Sequence, residues 1–136
     1  MSLFDHIGFQ SNNLRRSLSF YESCMPKLGL AVVSHSERGF FISGGERAPV
    51  PFLWIHSRQK TDADLPDGKP GNHLHLMFNA NSRAEVEAFH HAALQGGGGE
   101  SGAPGYQGPE EMGYYAALVF DPDGNTLEAG FRQRAR

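Results

Sequence analysis

Several things are scarce in this sequence, and each shortage removes a class of function. There is a single cysteine, Cys24, so no disulfide can close within the chain, and a reducing compartment, the cytoplasm, is the expected setting. Cys24 falls in a predicted helix and reads as a small core residue rather than a reactive thiol, since burial is the usual fate of a free cysteine. Nowhere do the roughly 20 apolar residues needed to span a bilayer run together. The opening Met1-Ser2-Leu3-Phe4-Asp5-His6 has neither the basic region nor the apolar run of a secretory signal, so no membrane partner is expected. A basic excess is also missing: 12 Lys and Arg stand against 15 Asp and Glu, for a formal charge of −3. A chain that neutralises many phosphates normally carries a stripe of Lys and Arg, so no nucleic-acid partner is expected. The glycine run Gly96 to Gly99 follows a helical segment instead of opening one, which argues against a phosphate cradle.

What is present suits one domain. With 136 residues, 39% hydrophobic, the chain is long enough to bury a single core. It also resembles itself. His6-Ile7-Gly8-Phe9 matches His75-Leu76-Met77-Phe78 at an offset of 75 − 6 = 69, and the same offset carries Phe20 onto Phe89, Met25 onto Leu94 and Gly29 onto Gly98. An offset near half the chain indicates one duplicated supersecondary unit rather than a solenoid. In the first half, a strand over Phe4 to Gln10 precedes a helix capped by Asn12 or Asn13, with Leu14, Leu18, Tyr21 and Met25 at helical spacing and Gly29 beyond its end. Strands follow over Leu30 to His35, Gly39 to Ser43 and Pro51 to His56. In the second half, His73 to Phe78 is a strand, and Ser82-Arg83-Ala84-Glu85 is a capping box opening a helix with Val86, Phe89, Ala93 and Leu94 on one face. Tyr114 to Phe120 and Thr126 to Phe131 are strands joined by the turn residues Asp121-Pro122-Asp123-Gly124-Asn125. Glu100 to Gly113, rich in Gly and Pro, reads as a long loop of the kind that covers a site.

The expected architecture is α+β, two βαβββ modules in a single domain over 1–136: module 1 about 1–57, a linker about 58–71, module 2 about 72–136. Side chains alternate along a strand, which puts His6 opposite Ile7 and Phe9, His75 opposite Leu76 and Phe78, and Glu128 opposite Leu127 and Ala129. If the sheets curve into a cup, His6, His75 and Glu128 converge inside it as two imidazoles and a carboxylate, a donor set suited to a divalent metal that keeps open positions. The plainer reading is a solvated strand face, and the matched places of His6 and His75 in the repeat weigh against it. His73 is either a partner of the site or an exposed residue at the strand entrance; His90 and His91 fall on the second helix. His73-Leu74-His75 also suggests a cupin, but the next Glu, Glu85, lies in a predicted helix.

The stretches Asp5-His6-Ile7-Gly8, Ser17-Leu18-Ser19-Phe20-Tyr21, Leu28-Gly29, His75-Leu76-Met77-Phe78, Gly102-Ala103-Pro104-Gly105 and Asp121-Pro122-Asp123-Gly124-Asn125-Thr126-Leu127-Glu128 resemble the vicinal oxygen chelate superfamily. That group includes glyoxalase-type lyases, extradiol dioxygenases and bleomycin-resistance proteins. The resemblance covers almost the whole chain and implies that the modules form a half-open barrel around a metal (Zn, Ni, Fe or Mn) held by His6, His75 and Glu128. It further implies Glu128 and Tyr115 as catalytic groups, and Phe52, Trp54, His73 and Tyr114 around a pocket for a small substrate with adjacent oxygens. A homodimer is expected, in some members with each site shared between subunits. The function expected is lyase (glyoxalase-like) or dioxygenase chemistry with the metal as Lewis acid; a metal-free, drug- or metabolite-binding protein is the alternative. Trp54 is the departure: it stands where glyoxalase-type lyases carry a carboxylate, unless a shift in register brings His56 there.

Overall fold

The computed structural model describes residues 3–57 and 73–133; the expected linker lies outside them. Eight strands and two principal helices follow one another in the order expected of a duplication. These are β1 (His6–Gln10), α1 (Leu14–Cys24), β2 (Ala31–Ser36), β3 (Gly39–Ser43), β4 (Phe52–His56), β5 (His75–Asn79), α2 (Arg83–Gln95), β6 (Gly99–Tyr106), β7 (Tyr114–Phe120) and β8 (Thr126–Arg132). Each half makes its own four-stranded mixed sheet, in the orders β1-β4-β3-β2 and β5-β8-β7-β6. Both sheets have the same topology, with the first strand parallel to the last. The chain is therefore the α+β pair of βαβββ modules expected.

Local chemistry explains the element ends. The side chain of Asn13 caps α1 by accepting from the Arg16 amide at 3.1 Å, and that of Ser82 caps α2 by accepting from the Glu85 amide at 3.1 Å. After α1, a 3-10 turn over Met25–Leu28 ends at Gly29 with φ +76°, a left-handed stop that glycine adopts without a Cβ penalty.

One expected loop is a strand. Much of the segment expected as a loop over 100–113 forms β6, an edge strand of the second sheet. Its register against β7 slips twice, between Glu100 and Gly102 and between Gly102 and Gly105. Bulges and an edge position are where a sheet tolerates Gly and Pro, so the composition that suggested a loop belongs instead to an irregular strand.

The core lies between the sheets and the helices. Phe20, Tyr21, Phe40, Ile55, Phe89 and Val119 are all at most 1% exposed. The helices meet at matched positions of the repeat: the Ser23 hydroxyl, which also bonds the Phe20 carbonyl, reaches the carbonyl of Ala92 at 3.1 Å, and 92 − 23 is again 69. The approach is close enough that a Cβ at Gly98 would come within 2.5 Å of the Phe20 ring, so the glycine run ending α2 serves packing as well as termination.

The joint between β7 and β8 ties the halves together. Asp121, 4% exposed, accepts from the amides of Asp123 (2.9 Å) and Asn125 (2.8 Å), from the Asn125 side chain (2.9 Å) and, across the module boundary, from the Tyr21 hydroxyl at 2.6 Å. Asp123 in turn accepts from the Asn12 amide at 2.8 Å and the Ser17 hydroxyl at 3.1 Å. Burial, and then the neighbouring Asp121 carboxylate, push the Tyr21 phenol well above its ordinary range, so it stays a donor. A stretch legible only as a turn is a buried clamp.

Candidate functional site

Strand alternation gives each sheet a face packed on the core and an open face. On β5 the open face carries His75 and Met77, and on β8 it carries Glu128. The pairing Met77↔Glu128 sets His75 diagonally across from the carboxylate, and the His75 Nε2 lies 2.9 Å from Glu128 Oε1. The imidazole is 58% exposed, the carboxylate only 14%. On β7, the hydroxyl of Tyr114 donates to Glu128 Oε2. Its ring crosses Gly130, where a Cβ would come 2.6 Å from the Tyr114 Cε1, so a glycine two residues along Glu128's own strand opens the path. Arg132 completes the group, its guanidinium carbon 4.2 Å from the centre of the Tyr114 ring, within cation–π range. Burial, followed by the bond to Glu128, pushes the Tyr114 phenol up to about 12, with Arg132 opposing. Tyr114 is therefore a protonated donor at neutral pH and holds one carboxylate oxygen while the other faces His75.

The two neighbouring tyrosines divide their roles by alternation. Tyr115, expected as the catalytic partner, points to the other face: it is 7% exposed, donates to Glu87 on α2 at 2.8 Å and lies under Arg83, 4.8 Å away. The group beside Glu128 is Tyr114, expected around the pocket. His73 is exposed and sits against the Gly124 turn, where a Cβ would lie 3.2 Å from its Nε2.

His6 does not join His75 and Glu128 within the chain. Its Nδ1 is 2.8 Å from Asp5 Oδ1, and its ring stacks on Phe52 at 4.7 Å and 6°. Among the described residues no three His, Cys, Asp or Glu side chains are grouped to hold a metal ion. The donor chemistry of His75 and Glu128 fits a divalent cation, but they supply two protein donors where a stable site commonly has three or more. The register also decides which residue of β4 corresponds to Glu128. Gly8↔Trp54 on the first sheet repeats Met77↔Glu128 on the second, so the counterpart is Trp54. His56 lies one step further, its Nδ1 2.8 Å from the Ser57 carbonyl.

A cavity of about 370 Å³ runs between β1 and β5, lined by His6, Ile7, Phe52, Leu76, Phe78 and Asn79 among others. Its walls are mainly apolar with a few polar groups, as in small-molecule sites. Of the residues expected to line a pocket, Phe52 does so; Trp54, His73 and Tyr114 do not touch this cavity.

The sequence matches the model of the glyoxalase/bleomycin resistance protein/dioxygenase superfamily over residues 3–129. The chain belongs to that superfamily. Among solved structures, a glyoxalase/bleomycin resistance protein from Albidiferax ferrireducens T118 is 28% identical, with a TM-score of 0.76, covering 97% of this chain and 100% of its own. A glyoxalase-related enzyme from Fulvimarina pelagi is 21% identical (TM-score 0.72; 97% and 89% covered). A lactoylglutathione lyase from Agrobacterium tumefaciens is 19% identical (TM-score 0.66; 96% and 94% covered). The last two are likenesses of fold alone. No curated protein matches the sequence significantly. No helix among the described residues is long and apolar enough to cross a membrane.

Proposed function

We propose that this superfamily member is a metal-dependent enzyme, lyase or dioxygenase, acting on a small substrate with adjacent oxygens. In this reading the site is completed in a homodimer, where His6 of one copy meets His75 and Glu128 of another. The observation that carries the reading is the His75–Glu128 contact at 2.9 Å, braced by Tyr114 on the second carboxylate oxygen. Imidazole and carboxylate oriented by a neighbouring donor are the usual equipment of a metal ligand pair. His6 is solvent-exposed on the matching strand of the other module, free to face a second copy. The buried, lone Cys24 supports a cytoplasmic setting.

Zn, Ni, Fe or Mn, when bound, would supply a Lewis acid that polarises vicinal oxygens. The chain's own groups do the rest. His75 and Glu128 would hold the ion. Tyr114 fixes the orientation of Glu128 and keeps its proton at neutral pH, and Arg132 screens the charge gathered there.

Metal analysis of the purified protein tests this directly. The expected result is stoichiometric divalent metal that is lost in Glu128→Ala and in His6→Ala alike. A protein free of metal as purified, and unable to take up Zn, Ni, Fe or Mn, would overturn it. The second reading, a metal-free binding protein, has one observation in its favour: Trp54 where the first sheet would otherwise present a carboxylate. Ligand binding that persists in the absence of metal and in Glu128→Ala would favour it.

A further inference from the structure

Arg132 is the only Lys or Arg on β5, β7 or β8. The alternation that turns Glu128 to the open face turns Arg132 there too, opposite Tyr114 on β7. A guanidinium sharing a strand face with a carboxylate ordinarily closes on it as a two-pronged ion pair. This one does not. The ion pairs among the described residues all involve histidine, and Arg132 is in none of them.

Tyr114 is what keeps the charges apart. Its ring crosses Gly130, the residue midway between Glu128 and Arg132. The hydroxyl donates to Glu128 Oε2, and the ring face takes the guanidinium carbon 4.2 Å from its centre. The other carboxylate oxygen is taken by His75 at 2.9 Å. Arg83 gives the contrast within the same molecule. It also lies over a tyrosine, 4.8 Å from the centre of the Tyr115 ring, but donates from its guanidinium to the Tyr106 hydroxyl at 3.2 Å. No hydrogen bond among the described residues engages the Arg132 guanidinium. Contact with a ring face steadies a guanidinium without using its N–H donors, which leaves them for a planar oxyanion.

We propose that Arg132 determines specificity on this face, and that the substrate carries a carboxylate at the end away from its adjacent oxygens. One fixed cation matches one negative charge, which favours a carboxylate over a phosphate dianion. Glu128 and Arg132 stand four residues apart on β8, about 13 Å along a strand of ordinary rise, and the arginine stem leans back toward Gly130 to reach the Tyr114 ring. The two ends of the substrate are therefore separated by a short chain of atoms. The inference rests on the proposed function in taking this face as the substrate side; the charge preference itself needs no metal.

The probe is glutaric acid monohydroxamate, with adjacent oxygens at one end and a carboxylate at the other, and its methyl ester is the uncharged control. Calorimetry on the Zn-loaded protein should show the acid bound about tenfold or more tighter than the ester, the scale of one charge-assisted contact. Arg132→Gln should bring the acid down to the level of the ester, and Arg132→Lys should restore part of the difference. The acid-to-ester ratio cancels any effect of the substitution on the metal end. Arg83→Gln should keep the preference. In chelator-treated protein, the Nε–H resonance of Arg132 should move with millimolar acid and not with the ester; this arm decides if the protein takes no metal. Equal affinity of the parent for both probes, a preference that survives Arg132→Gln, or one lost equally in Arg83→Gln would overturn the inference. So would dissociation of a dimer in Arg132→Gln, which would make a carboxylate of a second copy the partner of the guanidinium. A metal-free protein whose Arg132 signal answers the acid alone sinks only the metal reading. A metal-loaded protein indifferent to the charge sinks only this one.

Discussion

The hydroxyl of Tyr114 donates to the Glu128 carboxylate from the neighbouring strand, across a glycine that leaves the ring room to pass. One carboxylate oxygen is thereby committed to a protein donor, and the other is turned toward His75. The orientation of the acid is a property of three strands, not of Glu128 alone.

Tyr114→Phe should therefore leave the fold intact and loosen the acid. If Glu128 holds a metal, affinity should drop about 10- to 100-fold, the usual scale for removing a group that orients a ligand. Metal titration checks this. Gly130→Ala should behave alike, because its Cβ would collide with the Tyr114 ring.

Asp121→Ala should be among the most destabilising polar substitutions. It strands the buried Tyr21 hydroxyl and the Asn125 side chain together with two turn amides, and each unsatisfied buried group costs about 1–3 kcal/mol. A loss of about 3 kcal/mol or more is expected by denaturant unfolding, with Tyr21→Phe costing about 1 kcal/mol or more. An Asp121→Ala protein as stable as the parent would show that the clamp contributes nothing.

Alkaline pH should weaken the fold in a defined window. Burial raises Cys24 from 9.0 to about 12, and burial with the Glu128 bond raises Tyr114 from 10.0 to about 12. A folded-state pKa above the unfolded one stabilises fully below the unfolded value and is lost as pH climbs through the folded value. Unfolding free energy should thus decline from about pH 9 to about pH 12, and less so in Tyr114→Phe.

The same burial makes Cys24 inert. At pH 8 a thiol reagent such as Ellman's should label native protein far more slowly than protein unfolded in guanidinium. Rapid labelling of the native state would contradict a fully enclosed, protonated thiol.

Much of the fold was legible because it rests on short-range rules: apolar alternation in β1, β5 and β8, the Asn13 and Ser82 caps, and a repeat whose offset survives in Phe20 and Phe89. β6 was not, since its Gly-Glu-Ser-Gly-Ala-Pro-Gly-Tyr string carries no strand propensity of its own and is a strand only through pairing with β7. Alternation was enough to bring His75 and Glu128 to one face. The distinction between Tyr114 and Tyr115 follows from alternation once β7 is paired with β8: Leu118 stands opposite Glu128, and Tyr114, an even number of residues before Leu118, shares that face. What alternation cannot give is how the two sheets sit relative to each other, and that is why His6 stands apart from the pair it was grouped with. The Asp121 clamp was hidden for a similar reason: its partner Tyr21 is 100 residues away.

Ser23 touches Ala92, its own counterpart in the second copy of the motif. Two identical half-length chains meeting this way would have to present the same residue at every outward position. Fusion into one polypeptide lifts that requirement while the central contact is kept, which is how an acid on one sheet can answer to an indole on the other.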